Sequence, residues 1–323
     1  MLTPIRLFHG GVMVNYRCNA ACRHCLYSCS PTRQAGYMDA DTARKVAALL
    51  VKGCANSVHI GGGEPFLNFD GLLAVSHELH HAGIQIDYIE TNAFWAQDKN
   101  AEAMLKSMRK KDIHTLCISI DPFHAEYVPY SLPLKLAELC RENGMDYFLW
   151  KESFLSSLTR MDSKTSHTRQ EIEQSLSKNY IAETAQLYGI SLGGRAVNIE
   201  EEYTPLHPAE ELLDEKPCRN LTNTGHFHVD LQEFFIPPQC TGIRLPLTEV
   251  VEGLDEEKYP VFSTLYHQGI AALFALAKQQ GFIAAGSGYP SACNLCFHIR
   301  AFLADKGFPE LDTDHYRESL KYY

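Results

Sequence analysis

No stretch of this 323-residue chain approaches the ~18 consecutive apolar residues that a membrane helix needs, so no helical span is expected. The opening Met-Leu-Thr-Pro-Ile-Arg-Leu-Phe-His-Gly lacks the long apolar core of a secretory signal, which points to a cytoplasmic protein. Positive charge is also short. Lys and Arg number 29 against 39 Asp and Glu, a formal charge of −10. A surface of that sign repels nucleic acid and anionic lipid, and neither is expected as a partner. The hydrophobic fraction of 45 % is that of an ordinary globular protein, long enough to bury one large domain and a small one.

Cysteine, by contrast, is abundant, with eleven in the chain. Without an export signal these read as reduced thiols rather than a disulfide framework. Seven fall in ligand-like groups; Cys54, Cys117 and Cys140 read as small buried residues, and Cys29 as a loop thiol near the first group. Cys18, Cys22 and Cys25 share the loop Cys-Asn-Ala-Ala-Cys-Arg-His-Cys directly after the apolar run Val12 to Tyr16. A cubane iron-sulfur cluster normally takes four thiolates, so three leave one iron open to an outside ligand. Zinc is the alternative, although zinc sites more often pair C-x2-C with a second pair or with histidines. Further along, the strand-like Ser57 to Ile60 runs into Gly61-Gly62-Gly63-Glu64-Pro65, where glycines permit close approach of backbone to a ligand.

On the C-x3-C-x2-C loop and the Gly-Gly-Glu-Pro turn together, the sequence resembles the radical S-adenosylmethionine (radical SAM) enzymes. The resemblance implies that Cys18, Cys22 and Cys25 hold a [4Fe-4S] cluster whose free iron binds SAM. Reductive cleavage of SAM would then yield a 5'-deoxyadenosyl radical that abstracts hydrogen from a substrate. It places His24 near the adenine, and Gly62, Gly63, Glu64 and Pro65 at the amino group of SAM. Thr91 and Asn92 resemble the pair closing the third strand, Ser119 and Asp121 the Ser-x-Asp facing the ribose, and Gly193-Gly194-Arg195-Ala196 the Gly-Arg-Ala element, with Arg195 a cofactor contact. Taken singly, Asn92 is a turn residue and Asp121 a helix cap before Pro122.

Strand-like runs at Val12 to Tyr16, Ser57 to Ile60, Ile84 to Ile89, Thr115 to Ile120 and Tyr147 to Trp150, then a pair around Ile190 to Leu192 and Ala196 to Ile199, alternate with helical segments. The helices are expected over Thr42 to Val51, Gly71 to His81, Ala101 to Lys110 and Leu132 to Cys140, two of them closed by Gly53 and Gly83. This alternation predicts an α/β fold with a parallel sheet. The resemblance narrows it to a partial (β/α)6 barrel over residues 1–200, with functional groups at the C-terminal strand ends. Lys151 and His124 are the candidate catalytic bases there, beside Asp121. His77-Glu78-Leu79-His80-His81 satisfies the zinc-protease pattern H-E-x-x-H, but its helix belongs on the outside of a barrel and its polar face reads as solvated.

After an acidic linker over 201–217 come Cys218, a hairpin-like run from His228 to Ile236, Cys240, and the clip Cys293-Asn294-Leu295-Cys296. Four such cysteines can complete a closed cluster. The arrangement resembles the SPASM and twitch extensions of radical SAM enzymes. It implies one auxiliary [4Fe-4S] cluster in a small α+β domain over 218–306, with a tail over 307–323; no cysteine follows Cys296, which favours the shorter twitch form. A four-cysteine zinc knuckle is the alternative, with His226 and His228 as further zinc-type donors. The implied function is modification of a ribosomally made peptide or protein by oxidation or cross-linking, with a small-molecule substrate as the second reading. The implied reductant is a partner such as flavodoxin or ferredoxin. A non-catalytic electron-transfer or sensor protein is the reading from another class. With the first cysteine at residue 18, no ~80-residue peptide-recognition domain is expected ahead of it. Ser156 to Arg169 is nearly devoid of apolar residues and is expected to be a mobile lid over the barrel mouth.

Overall fold

The computed structural model describes residues 6–33, 36–177, 179–188, 193–222 and 225–321. In the first half, β1 (His9–Met13), α1 (Ala40–Lys52), β2 (Ser57–Gly61), α2 (Phe69–His81), β3 (Gln85–Thr91), α3 (Ala101–Arg109), β4 (Thr115–Ser119), α4 (Pro122–Ala125), α5 (Ser131–Glu142) and β5 (Asp146–Trp150) alternate. Then come α6 (Leu155–Leu158), α7 (Arg169–Ser175), α8 (Tyr180–Tyr188), α9 (Ala196–Glu201) and α10 (Arg219–Thr222). The chain finishes with β6 (Phe227–Asp230), β7 (Phe234–Ile236), β8 (Leu245–Pro246), α11 (Leu247–Glu252), α12 (Pro260–Gln279), α13 (Ala292–Ala304) and α14 (Thr313–Leu320).

The helices form where one apolar stripe meets the sheet. In α1, Ala43, Val46, Ala47 and Leu50 are buried at helical spacing, and Asp39 caps the start by accepting from the Thr42 N–H at 2.8 Å. Every strand step from β1 to β5 is parallel and bridged by helix, as a βαβ repeat requires. The sheet order is β5-β4-β3-β2-β1-β6-β7-β8, so β6 joins the free side of β1 in parallel and starts an antiparallel hairpin. The fold is α/β, a parallel-dominated partial barrel continued by C-terminal elements.

The sixth parallel strand is therefore β6, far downstream of its expected place. Ala196 to Ile199 is helix instead, within α9, while Ile190 to Leu192 lies outside the described residues. A four-residue stretch is too short for periodicity to separate strand from buried helix. Here α9 is fixed by α13: Asn294 Nδ2 donates to the Val197 carbonyl at 3.0 Å and Ser291 Oγ to Glu200 at 2.9 Å.

A second apolar cluster sits at the C-terminal strand ends and includes Met13, Tyr16, Ile120, Phe123, Tyr130, Leu158, Met161 and Tyr180. Its members correct the expectation for Ser156 to Arg169. That segment is docked: Leu158 and Met161 are buried, Ser131 N–H donates to the Ser163 carbonyl, and His167 N–H donates to that of Ala125, each at 2.9 Å. Two apolar anchors suffice to order a segment whose composition is otherwise polar. At the other terminus, α14 returns to the cysteine loop, where Ser319 Oγ meets Ser28 Oγ at 2.5 Å and Glu318 accepts from Ser30 Oγ at 3.0 Å. Among the described residues, no helix is long and apolar enough to cross a membrane.

Candidate active site at the strand ends

A cavity of about 500 Å³ opens at the C-terminal ends of the parallel strands. Cys18, Cys22 and Cys25 line it together with His24, Gly62, Gly63, Thr91, Asn92, Ser119 and His124. The loop that carries the cysteines points donors at its own sulfurs. Ala20 N–H reaches Cys18 Sγ at 3.4 Å, Asn92 Nδ2 reaches it at 3.8 Å, and Cys29 N–H reaches Cys25 Sγ at 3.3 Å. Contact with the Cys29 thiol, ahead of the opposing effect of burial, holds Cys25 well below the ordinary thiol range. Hydrogen bonds to the sulfurs are among the terms that set the reduction potential of an iron-sulfur cluster.

The glycine turn is welded to that loop. A Cβ at Gly63 would stand 2.1 Å from the Arg17 carbonyl oxygen, and Gly62 has φ +154° with Asn15 packed against it. Gly63 N–H donates to the Asn15 carbonyl at 2.8 Å and Glu64 N–H to that of Arg17 at 3.0 Å. Glu64 itself is buried behind the cavity and does not line it. Its carboxylate accepts from Thr91 Oγ1 at 3.0 Å, Asn92 N–H at 2.8 Å and Phe66 N–H at 3.1 Å, tying the end of β2 to the end of β3. Burial raises it to about 7 against those three bonds. Pro65 opens the single turn of 3-10 helix Pro65–Asn68.

Arg195, expected at the cofactor, lies elsewhere. Its fully buried guanidinium donates to the carbonyls of Cys22 at 2.9 Å and Cys29 at 2.6 Å, and its N–H to that of Cys25 at 3.1 Å. Gly194, at φ +54°, would carry a Cβ 2.4 Å from the Cys25 oxygen and 2.3 Å from that of Leu26. The Gly-Gly-Arg-Ala element is thus a clamp on the backbone of the cysteine loop.

Asp121 is also turned away from the cavity. It accepts from Phe123 N–H at 2.8 Å and His124 N–H at 2.9 Å, capping α4, while its second oxygen meets His124 Nδ1 at 2.6 Å. Burial would raise it, yet the charge and hydrogen bonds of His124 hold the carboxyl well below its usual range. His124 reaches the cavity between Asp121 and Cys22. His24 stacks on Phe123 at 4.9 Å, and burial lowers it to about 4. Lys151, at φ 61°, does not line the cavity and lies over the Trp150 ring at 5.5 Å. Of the remaining cysteines, Cys117 and Cys29 are buried and line the cavity, Cys140 is buried, and Cys54 is exposed at φ 72°, against expectation. His77 and His81 stand exposed on the outer face of α2, where Arg44 holds Glu78 at 2.9 Å.

Cys218, Cys240, Cys293 and Cys296 come together. Cys240 hydrogen-bonds to Cys218 and brings its thiol down to about 6, Cys296 contacts the buried guanidinium of Arg300, and Cys293 neighbours Cys296 and Cys218. Asn220, Pro238 and Gln239, close in sequence to Cys218 and Cys240, form part of the cavity wall. Among the described residues, two groups of three donors lie within 4.8 Å of one another, and neither contains a cysteine.

Several lining residues were not expected from the sequence: His59 on β2, Tyr88 and Glu90 on β3, Trp150 on β5, and His226 and His228 at β6. Alternation along the strands is the signal that marks them, since i and i+2 share a face, as Tyr88 and Glu90 or Cys117 and Ser119 do.

Residues 12–150 match the sequence model of the Radical SAM superfamily. YydG of Bacillus subtilis (strain 168), named as a candidate peptide biosynthesis protein, is 26 % identical over 206 residues, covering 63 % of this chain and 61 % of YydG. The chain thus spans less than two thirds of that relative. Among solved structures, anSMEcpe with bound AdoMet and Kp18Cys peptide aligns at TM-score 0.45 and 11 % identity over 79 % of this chain and 83 % of that one. BtrN in complex with AdoMet and 2-DOIA aligns at 0.42 and 13 % over 83 % and 89 %. Streptococcus suis SuiB bound to S-adenosylmethionine aligns at 0.39 and 12 % over 77 % and 66 %. The matched stretch runs from β1 to the last residue of β5 and holds the C-x3-C-x2-C loop, so residues 12–150 are a radical SAM domain.

Proposed function

We propose that the protein is a radical SAM enzyme that modifies a peptide. The observation that carries this is one cavity at the strand ends where Cys18, Cys22 and Cys25 face Gly62 and Gly63. A [4Fe-4S] cluster with SAM, when bound, supplies reductive cleavage of the sulfonium and a carbon radical that abstracts hydrogen. The chain's own residues hold that chemistry. Cys18, Cys22 and Cys25 are the ligands, the N–H groups of Ala20, Cys29 and Asn92 steady the sulfurs, and Gly62 and Gly63 let SAM approach the backbone. Arg195 clamps the backbone of the loop that carries the ligands. Similarity to YydG supports a peptide as substrate.

Cys218, Cys240, Cys293 and Cys296 are read as ligands of one auxiliary cluster. Four thiolates on a single zinc ion, at about 2.3 Å each, would stand roughly 3.8 Å apart. Among the described residues, no three cysteine sulfurs lie within 4.8 Å of one another. Anaerobic reconstitution and reduction with SAM tests the reading. Wild type should release 5'-deoxyadenosine and Cys22→Ala none. Cys296→Ala should lose about four irons per chain, the content of one cluster, while SAM cleavage survives. Equal 5'-deoxyadenosine from Cys22→Ala would sink the assignment.

A further inference from the structure

Inside the sheet lies a histidine group that the cysteine chemistry does not use. β2 and β6 flank β1 on its two sides, and in register Gly11 faces His59 on one and His228 on the other. A Cβ at Gly11 would stand 2.4 Å from each imidazole, so glycine is what allows the two rings to meet across the strand between them. They meet nitrogen to nitrogen, with His59 Nε2 and His228 Nε2 3.1 Å apart. His226, on the same face of the chain two residues before His228, lays its ring parallel to that of His59, centroids 5.3 Å apart. One ring nitrogen from each of the three lies within 4.8 Å of the others.

A hydrogen-bonded pair of imidazoles needs only two rings. Three whose nitrogens converge need a shared partner. Imidazole nitrogens bound to a tetrahedral ion at about 2.0–2.1 Å stand roughly 3.4 Å apart, close to the spacing of the His59 and His228 nitrogens. We propose that His59, His226 and His228 bind a divalent first-row transition-metal ion, with zinc as the type case, on the wall of the cavity lined by Cys18, Cys22 and Cys25. Burial first, and the neighbouring histidines second, lower His59 to about 3 and His228 well below the imidazole range, and His226 is lowered by burial and His9. Burial favours neutral imidazole, the form that ligates. Glu90 on β3 offers an oxygen 3.7 Å from His59 Nε2. Three protein ligands leave a fourth position, and all three histidines line the cavity, so a carboxylate or carbonyl oxygen of a substrate is the ligand class that suits it.

The site is distinct from the cysteines, and its test reads the two separately. Protein with its iron-sulfur sites reconstituted anaerobically is titrated with cobalt(II), and iron is counted in the same sample. One cobalt per chain should bind with the d–d absorption of nitrogen and oxygen ligands and without thiolate charge transfer, and zinc should displace it. His228→Ala and the more exposed His226→Ala should each weaken cobalt binding by at least about a hundredfold, the upper end of what loss of even an outer-shell partner costs, at unchanged iron. No saturable cobalt binding in wild type with full iron overturns the proposal, as does equal binding by both variants. Cobalt bound with histidine-type absorption in a sample that takes up no iron supports it and sinks the cluster reading alone.

Discussion

Replacing Arg195 with methionine removes a guanidinium buried beneath the cysteine loop, and with it the bonds to the carbonyls of Cys22 and Cys29. Methionine has a similar length and no donor, so the Cys29 carbonyl loses the guanidinium and that of Cys22 keeps only the Cys25 N–H. Each charge-assisted bond is worth about 1.5–3 kcal/mol, which puts the local loss at about 3–6 kcal/mol. Losing a buried charge offsets part of that, so the lower figure is the one to use. At 1.4 kcal/mol per tenfold, about 3 kcal/mol lowers the population of the ordered loop roughly a hundredfold. The expected result is a loss of about four irons per chain after anaerobic reconstitution, with an unchanged Michaelis constant for SAM in whatever fraction remains loaded. Arg195→Lys, which keeps one donor, should fall between. Full iron in Arg195→Met together with a raised constant for SAM would refute the reasoning and return Arg195 to the cofactor.

The glycines at the end of β2 should differ sharply. Gly63→Ala drives a Cβ onto the Arg17 backbone and should cost about 1–3 kcal/mol in urea unfolding, whereas Gly61→Ala meets only the mobile carboxylate of Glu90 at 2.8 Å and should cost less. Glu64 predicts a pH dependence. Its carboxyl, at about 7 when folded and 4.5 when free, binds more protons in the folded chain between those values, so its contribution to stability is present below about 4.5 and is lost as pH rises to 7. Melting temperatures across that window should therefore fall more steeply for wild type than for Glu64→Gln; parallel profiles would refute the assignment. Hydrogen exchange should find the amides of Ser131 and His167 protected without any ligand, because Ser163 and Ala125 accept from them. Fast exchange at both would restore the mobile lid.

Sequence alone was enough for what local order dictates. The five βα repeats, the cysteine loop and the glycine turn were legible because each depends on neighbours a few residues apart: alternation, a helical stripe, a backbone that only glycine can adopt. Tertiary structure decided which distant pieces meet. Nothing in Phe227 to Asp230 announces that it will pair with β1 rather than extend a separate domain, since a strand's partner is chosen by the free edge it finds and not by its own periodicity. That one pairing brings His228 opposite His59 across Gly11 and sets the hairpin leading to Cys240. Arg195 likewise carried a family's expected role in its sequence context, and only the fold showed its guanidinium bonded to the loop carbonyls, because a buried guanidinium must find acceptors wherever the packed chain offers them.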